Sequence, residues 1–377
     1  MDVDGVMKII IAPDSFKHSL SALEACKAIS SAAQKAMPDA SIVEMPVADG
    51  GEGSVDSIIG AMDGEKIAHN VKGPLFEDIE SYYGRAGDTA IIEMAAICGL
   101  TMLNTPNPEK TSSYGVGEMI KHALADGCES IVLCIGGSGT NDGGIGALTA
   151  LGGVFYDSGG NTISPVGGNL HKITAIDTNK LIKTPKIKIA CDVDNPLYGK
   201  NGAAYVFGPQ KGADKDMVMR LDTGLRNLAG LLHRHTGADI SQTPGCGAAG
   251  GIAACFLAYG LAEIISGVDL VLDTIRFDAH LDGADLVITG EGKTDKQTLG
   301  GKTIIGVTKR ARAKNVPVVV LSGAVEDGID DMLYGEGITA VFPCIRQTGT
   351  FEEIKEKSSD WLYQTALNFF RAVKLNI

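Results

Sequence analysis

The sequence has little that would support disulfide bonds, nucleic-acid binding or membrane insertion. Its eight cysteines include no CxxC pair and no zinc-type spacing, which favours reduced, buried thiols over a disulfide framework. Lys and Arg number 33 against 46 Asp and Glu, and the resulting net charge of −13 argues against binding to nucleic acid or anionic membranes. No apolar run is long enough to span a bilayer, and the N-terminal residues MDVDGVMKIIIA lack the regions of a signal peptide. These absences predict a cytoplasmic protein.

Glycine, by contrast, is abundant. It accounts for 49 of the 377 residues, about 13%, whereas about 7% is usual. No collagen-like period explains this content, so the chain is expected to contain many tight turns. A length of 377 residues exceeds what one compact core normally holds and predicts two domains or three.

The hydrophobic pattern alternates between strand and helix at both ends of the chain. Strands are predicted at 8–12, 41–47, 285–289, 318–322 and 338–343, and helices at 22–36, 302–314 and 351–373. The helix at 22–36 begins with a capping box formed by Ser21 and Glu24. The middle is mixed, with antiparallel segments at 67–104, a helix at 111–125, a strand at 131–135 and helices at 214–235 and 250–265.

These elements predict an α/β protein of two α/β domains. One is a doubly wound, Rossmann- or flavodoxin-like parallel sheet built from both chain ends, residues 1–66 and 285–377. The other is a mixed α/β domain, residues 67–284, inserted into the first. The pattern does not decide which of the two contains 111–150.

The segment 131–152, IVLCIGGSGTNDGGIGALTALG, is the most informative part of the sequence. An apolar run typical of a buried strand leads into glycines and small polar residues, and a small-residue helix is predicted directly afterwards. Such a turn predicts an anion site, because its N–H groups can point at a phosphate and the helix dipole favours negative charge. Asp142 within the turn indicates a metal ion beside the phosphate.

Four further loops, each predicted to follow a strand, combine an acid with glycine, serine or lysine. They are 14–17, 49–53, 192–195 and 290–295. Each alone is equally typical of an ordinary turn, since Asp and Gly are common turn residues. Together with the glycine-rich turn they place carboxylates, lysines and backbone amides where α/β folds bind ligands.

Two familiar nucleotide-binding patterns are not met. Lys293-Thr294 and Lys302-Thr303 each follow a glycine, but neither has the earlier glycine that a P-loop requires. The segment 245–250, GCGAAG, matches GxGxxG, yet the preceding ADISQTP is not a buried strand, so we interpret it as a tight turn into a helix. The nearby His233 and His235 are interpreted as part of a solvated helix face.

Eight segments together resemble the type-I glycerate kinase family of bacteria. They are APDSFKHSLSA, PVADGGEG, SSYGVGE, IGGSGTNDGGIGALTALG, ACDVDNPLYG, VFGPQKGA, PGCGAAGG and DLVITGEGKTDKQTLGGK. The resemblance extends from Lys8 to the C-terminal helix and implies a two-domain α/β enzyme that phosphorylates D-glycerate with ATP and magnesium, with the 2-position favoured. His18 departs from the glycine common at its position, and we expect it to lie outside the cleft.

Phosphoryl transfer to glycerate depends mainly on positioning and electrostatics, with a carboxylate to take or orient the hydroxyl proton. The residues predicted to supply these functions are, for catalysis, Asp192, Lys293 and Lys17; for nucleotide phosphates, Gly136, Gly137, Ser138, Gly139, Thr140, Asn141, Gly143 and Gly144; for the substrate, Asp14, Ser15, Asp49 and Lys211; and for magnesium, Asp142, Asp192, Glu291 and Asp295.

Some of these roles have alternatives. Asp192 is a candidate base or a second metal ligand, Lys211 is equally typical of a solvated loop lysine, and Glu291 and Asp295 could cap the following helix. At the level of function, the alternatives are a metal-dependent phosphatase and a non-catalytic sensor of an organic acid or nucleotide. The expected partner is the small molecule glycerate, bound in the cleft between two domains, with no nucleic acid and no membrane. The sequence does not decide whether the protein forms a homo-oligomer.

Overall fold

The structure is a computed structural model, and it describes residues 6–48, 53–296, 298–300 and 303–374. Its strands are β1 (Lys8–Ile11), β2 (Ser41–Glu44), β3 (Glu65–Lys72), β4 (Asp78–Ala86), β5 (Thr89–Glu93), β6 (Ser130–Cys134), β7 (Val154–Tyr156), β8 (Ala175–Asp177), β9 (Ile187–Ala190), β10 (Ala262–Ile265), β11 (Leu286–Thr289), β12 (Lys293–Thr294), β13 (Val318–Ser322), β14 (Ala324–Val325) and β15 (Ala340–Pro343).

Its α-helices are α1 (Ala22–Ala36), α2 (Ser54–Met62), α3 (Ala95–Cys98), α4 (Tyr114–Ala125), α5 (Ile145–Ala150), α6 (Ala203–Phe207), α7 (Lys215–Thr236), α8 (Ala253–Ala258), α9 (Gly267–Thr274), α10 (Phe277–Leu281), α11 (Thr303–Ala313), α12 (Asp330–Gly335) and α13 (Phe351–Lys374). Short 3₁₀ helices occur at Leu100–Met102, Gly167–Lys172, Pro209–Lys211, Ala248–Gly250 and Thr298–Gly300. In this described part of the chain, no helix combines the length and apolarity needed to cross a membrane.

The chain divides into two compact units. Among the described residues, the first unit contains 6–48, 56–63 and those from 268 to 374, and the second contains 53–55 and 64–267, including the segment 111–150. The chain returns to the first unit at residue 268, earlier than the expected 285, because α9 and α10 are tied to α11. There Arg310 forms ion pairs of 3.1, 2.6 and 3.2 Å with Asp269, Asp273 and Asp278.

The first unit is built on a five-stranded parallel sheet with the order β2-β1-β11-β13-β15. Numbered within the unit, this is the flavodoxin-like order 2-1-3-4-5, so the predicted doubly wound sheet made from both chain ends is confirmed. Ile9 in β1 lies opposite Leu286 in β11 and Ile42 in β2. Parallel strands covered on both faces are continuous apolar runs, as in KIII, LVIT and VVVLS.

Two hydrophobic layers cover this sheet, one on each face. On one side α1 and α13 pack over Ile9, Ile288 and Leu321, and on the other α11 and α12 pack over Val320. Neighbouring residues Val320 and Leu321 belong to different layers because side chains alternate along a strand. The first unit is therefore a three-layer α/β structure.

Helix α1 begins with the capping box predicted from the sequence. The Ser21 hydroxyl accepts the backbone N–H of Glu24 at 3.2 Å, and the Glu24 carboxylate accepts the backbone N–H of Ser21 at 2.8 Å. These hydrogen bonds to the charged form lower the pKa of Glu24. On the other side of the helix axis from solvent, Cys26, Ile29 and Ala33 are buried against the sheet.

The second unit contains a mixed six-stranded sheet with the order β3-β4-β5-β6-β9-β10. Pairing is antiparallel from β3 to β5 and parallel from β5 to β10, which confirms the mixed character predicted for the middle of the chain. The helix predicted over 250–265 is wrong beyond residue 258. Gly260, at φ 68°, ends α8, and Ala262 then pairs with Ile187 as the edge strand β10.

Gly290 is required where β11 leaves the first sheet. A Cβ at this position would lie 2.0 Å from the carbonyl oxygen of Leu321 in the neighbouring strand β13, too close for any side chain. The residues that follow Gly290 form the functional loop described below. The strand therefore reaches this loop only because the residue at the junction has no side chain.

We expect Gly290→Ala to destabilise the first unit by about 2 kcal/mol or more, because the clash is with backbone, which moves only with the sheet. The melting temperature should fall by about 5 °C or more, measured by circular dichroism. Gly335→Ala is the matched control, since a Cβ there meets no atom within 4 Å. Equal melting temperatures for both variants would contradict the role of Gly290.

Candidate active site

A cavity of about 370 Å³ lies beyond the carboxyl ends of the strands in the first unit. We call it the strand-end cavity. Its lining residues are Asp14, Ser15, Phe16, Lys17 and Ser19 after β1; Glu291, Gly292, Lys293, Asp295 and Thr298 after β11; Gly323 and Ala324 after β13; and Cys344, Ile345, Phe351, Ile354, Ser358 and Trp361 after β15. In doubly wound folds, ligands bind where the strand order reverses, here between β1 and β11.

The loops after β1 and β11 are held side by side by backbone contacts. The N–H of Asp14 donates to the carbonyl of Gly290 at 2.8 Å, and the Thr289 hydroxyl donates to the carbonyl of Ala12 at 2.8 Å. A Cβ on Gly292 would lie 3.1 Å from the backbone nitrogen of Lys17, so a side chain there would require the loop after β1 to shift by a few tenths of an ångström. Two segments distant in sequence thus form one wall of the cavity.

Two carboxylates in this wall are fixed by hydroxyl donors. The Asp14 carboxylate accepts the backbone N–H of Ser15 and the hydroxyl of Thr303, both at 2.6 Å. The Glu291 carboxylate accepts the hydroxyl of Thr298 at 2.6 Å. The role of the two threonines was missed in the sequence, because a hydroxyl residue in a loop gives no signal until the fold places it beside an acid.

Two predicted lysines, Lys17 and Lys293, line the same cavity. Lys293 lies in the short strand β12, which pairs with β14 and is held by a 2.9 Å hydrogen bond from Thr294 to Ser322. Its ammonium is 3.3 Å from the Asp295 carboxylate, with 63% of the lysine side chain exposed. Such an exposed ion pair contributes little to stability, so an anionic ligand can compete for this lysine.

Beside Lys17, His18 adopts a left-handed backbone conformation with φ 63°. Its side chain is exposed and does not line the strand-end cavity. A non-glycine residue in this conformation costs about 1–2 kcal/mol, so glycine would adopt it with less strain. Asp49, a predicted substrate residue, lies outside the described residues.

In the second unit, the glycine-rich turn of 136–144 follows β6 as predicted, and the N–H groups of Gly139, Gly143 and Gly144 bond within the protein. Asp142 accepts hydrogen bonds from the backbone N–H of Gly144 and Gly146, each at 3.2 Å. It also accepts the N–H and hydroxyl of Ser113 at 2.7 and 2.8 Å. The Ser113 hydroxyl in turn accepts the N–H of Ala147 at 3.0 Å.

The start of α5 is therefore capped from the inside by Asp142, and phosphate binding by the turn stays a prediction. The helix has six residues, too few for a strong dipole, and 138–144 is buried; Gly136 and Gly137 are the accessible part of the turn. Asp142, whose two oxygens receive four donors, is fully buried, and desolvation raises its pKa. The geometry favours a structural capping role for Asp142, and a metal-ligand role stays a prediction.

Lys211, predicted to bind the substrate or to be solvated, is buried. Its ammonium donates to the Ser138 hydroxyl at 3.0 Å and to the Thr140 carbonyl at 2.7 Å, so it fixes the middle of the turn. Burial lowers its pKa from 10.5 to about 8, against the opposing effects of Cys98 and Asp142. This geometry favours a structural role for Lys211, and a substrate role stays a prediction.

The unpartnered polar side-chain atoms of the turn belong to Thr140, through its buried Oγ1, and to Asn141. Both polar atoms of its buried side chain lack a hydrogen-bond partner. Buried amides of this kind are rare, because each unmade hydrogen bond costs about 1–3 kcal/mol. Asn141 is thus the turn residue that would gain most from a bound polar group.

The segment 245–251 packs against the same turn and explains its GxGxxG pattern. A Cβ on Gly250 would lie 2.1 Å from the Thr140 carbonyl oxygen, and the N–H of Gly143 donates to the Gly250 carbonyl at 3.0 Å. Helix α8 begins shortly afterwards, at Ala253. The glycines serve close backbone packing, as the interpretation of a tight turn into a helix requires.

Asp192 follows β9, is exposed, and accepts the N–H of Gly267 at 2.8 Å. Of the residues predicted to bind magnesium, Asp142 and Asp192 belong to the second unit, and Glu291 and Asp295 share the strand-end cavity of the first. Across the described ranges, no three His, Cys, Asp or Glu side chains lie close enough to hold a metal ion by themselves.

Comparison with known proteins identifies the chain. The sequence model of the glycerate kinase family matches residues 9–374. The glycerate kinase of Bacillus cereus is 44% identical over 376 residues, which cover 98% of each chain. The glycerate 2-kinase of Escherichia coli K12 is 42% identical over 369 residues, which cover 96% of this chain and 97% of the relative. A crystal structure from Salmonella typhimurium LT2, assigned to glycerate kinase 2, has a TM-score of 0.89 at 42% identity and covers 99% of both chains.

These relatives define an enzyme of the kinase class, a phosphotransferase, with the two-unit α/β fold described above. The chain belongs to the glycerate kinase family. The family resemblance inferred from the sequence is confirmed.

We expect Asp142→Asn to unfold at lower denaturant concentration even when no metal is present. The NH₂ of the new amide is a donor and would face at least one backbone N–H donor, so a hydrogen bond would be lost in a fully buried site. We expect this to lower the free energy of unfolding by about 2 kcal/mol or more. The measurement is urea unfolding in buffer containing EDTA, with Asp216→Asn, an exposed position, as the control. An unchanged unfolding midpoint for Asp142→Asn would contradict the capping role.

Lys211 should give the protein a stability that depends on pH. Because its folded pKa of about 8 lies below the unfolded value of 10.5, the unfolded chain holds more protons between these values, and the folded state gains relative stability as pH rises. From pH 7.5 to pH 9.5 the wild type should gain about 2 kcal/mol over Lys211→Met in the free energy of unfolding. Parallel pH profiles from urea titrations of the two proteins would contradict this.

Proposed function

We propose that this chain transfers the γ-phosphoryl group of ATP to the 2-hydroxyl of D-glycerate in a magnesium-dependent reaction, giving 2-phosphoglycerate and ADP. Membership of the glycerate kinase family supports the substrate, and the name of the 42% identical glycerate 2-kinase supports the position. The observation that carries the proposal is the strand-end cavity, which gathers lysines and fixed carboxylates at the switch point of a doubly wound sheet.

The lysines of the cavity act on the phosphates. During transfer, the glycerate oxygen forms a bond to the γ-phosphorus while the bond to the bridging oxygen of ADP breaks, and negative charge spreads over the phosphoryl oxygens. Lys17 and Lys293 line the cavity and offset this charge. Because they sit on loops tied to β1 and β11, the charges are in place before the reaction begins.

The proton of the glycerate hydroxyl passes to a carboxylate as the new bond forms. Asp14 is held in the cavity by Ser15 and Thr303, which orients its carboxylate. Asp192, the base predicted from the sequence, is exposed and has one oxygen engaged by Gly267. Both residues are candidates for the base. Measuring kcat for Asp14→Asn and Asp192→Asn distinguishes them, because loss of the base should lower kcat more.

The acids of the cavity suit magnesium that arrives with the nucleotide. Mg²⁺ is commonly held by one or two carboxylates together with substrate phosphates, and Glu291 and Asp295 provide carboxylates of this kind. Magnesium would supply charge neutralisation between the β- and γ-phosphates. Thr298, bonded to Glu291 and to the backbone N–H of Asp295, sets the spacing of these two acids.

The direct test is to incubate the protein with ATP, Mg²⁺ and D-glycerate and follow the products by phosphorus NMR. We expect ADP and 2-phosphoglycerate in equal amounts, and neither without glycerate. Inorganic phosphate released without glycerate would indicate a phosphatase. Binding without turnover would indicate a sensor, and 3-phosphoglycerate would overturn the proposed position.

Lys293→Ala should lower kcat/KM about 100-fold, because it removes a positive charge that acts on the transferring phosphoryl group. Lys296→Ala is the matched control. That lysine lies three residues further on, is 71% exposed, pairs with Glu326 and does not line the cavity. Similar activity in the two variants would remove Lys293 from the proposed site.

A further inference from the structure

The strand-end cavity has a second half that the proposed phosphoryl chemistry does not use. Its polar residues follow β1 and β11, whereas the residues after β15 are largely apolar: Ile345, Phe351, Ile354 and Trp361. Glycerate is a small acid with polar groups on every carbon, and phosphates are anions. Neither gains from contact with an apolar wall.

Helix α13 contributes residues both to this apolar wall and to the core of the first unit. Leu362, Ala366 and Phe370 are buried against the sheet. In the first half of the helix, Ile354 and Trp361 line the cavity instead. Ile354 lies on the same i, i+4 row as Leu362, Ala366 and Phe370, so the apolar row of the helix continues from the core into the cavity.

The apolar wall is also left open to solvent. Phe351 is 53% and Ile345 is 37% exposed, although both are large hydrophobic side chains. Single exposed hydrophobic residues are ordinary, but several around one cavity indicate a ligand site. A volume of about 370 Å³ lies in the range of sites for cofactors and drug-sized molecules.

The strand order places the two halves at opposite ends of the cavity. From β1 to β15 there are three strand spacings of about 4.8 Å, about 14 Å in all. A ligand that spans this distance must be polar and anionic at one end and flat and apolar at the other. A nucleoside triphosphate has this shape.

We propose that the apolar half of the strand-end cavity binds the base of the phosphoryl-donor nucleotide, with Trp361 and Ile354 against the ring and the phosphates directed toward Lys17 and Lys293. This inference rests on the proposed kinase function and extends it, because it assigns the donor to the first unit. It also gives the glycine-rich turn of the second unit no part in binding the base.

Trp361 is the sole tryptophan of the chain, so its emission reports on this half of the cavity. We expect ADP with Mg²⁺ to change the fluorescence of the wild-type protein in a saturable way. Tripolyphosphate with Mg²⁺, which lacks a base, and D-glycerate alone should leave it nearly unchanged. A response to D-glycerate in place of ADP would overturn the assignment, because the wall would then face the acceptor.

Two variants on the same helix separate contact with the base from a general effect of charge. Ile354→Glu places a carboxylate in the apolar half, and Gln364→Glu places one at an exposed position outside the cavity. We expect Ile354→Glu to raise KM for ATP about tenfold or more, with a much smaller change in KM for glycerate. Gln364→Glu should match the wild type, and near-native circular dichroism of both variants excludes misfolding.

The outcomes keep the two proposals apart. If the wild type forms ADP only with glycerate, but Trp361 does not respond to ADP and Ile354→Glu keeps the wild-type KM for ATP, the base site is wrong and the kinase function stands. If ADP changes Trp361 emission but no glycerate is phosphorylated, the nucleotide site stands and the proposed acceptor is wrong.

Discussion

The parallel pairing of β1 with β11 is the constraint on which the candidate site depends. Ala12 and Thr289 are 277 residues apart in the chain, yet the Thr289 hydroxyl donates a hydrogen bond to the Ala12 carbonyl at 2.8 Å. The next bond, from Asp14 to Gly290, carries the pairing into both functional loops. Because β1 connects onward to β2 and β11 connects onward to β13 on the other side, a crevice opens between their ends. Lysines, acids and hydroxyl donors converge there as a consequence of strand order.

The second unit shows how an anion-binding pattern can serve the fold. A glycine-rich turn before a helix leaves several N–H groups without partners, and a phosphate is one way to satisfy them. Here Asp142 accepts the N–H groups of Gly144 and Gly146, and Ser113 accepts that of Ala147. The buried ammonium of Lys211 donates to the Thr140 carbonyl in the same turn. The cost of burying these groups is offset by the number of hydrogen bonds they make. The Asn141 amide and the Thr140 hydroxyl are the buried polar side-chain groups of the turn that lack a partner.

Much of the fold could be predicted because its local signals agree. The capping box of Ser21 and Glu24 and the runs KIII and VVVLS each specify one kind of element. The helix predicted over 250–265 failed because β10 is decided by pairing with β9, which outweighs the local pattern after Gly260. Lys211 illustrates a second kind of failure. Nothing in the sequence around a lysine says that its ammonium will be inside the protein, since burial depends on residues such as Ser138 that are distant in the chain.

The sequence by itself determined the class of fold, the family and the loops that carry acids and lysines, because these depend on periodicity, short motifs and their order along the chain. Tertiary structure alone decided which of those loops meet. It brought 14–17 together with 290–295, added Thr298 and Thr303 as partners of the acids, and opened an apolar wall of Ile354 and Trp361 beside them. The tertiary structure also buries the Asp142 side chain. The physical reason is that hydrogen-bond satisfaction and burial are properties of neighbours in space, and strand pairing makes neighbours of residues that the sequence separates.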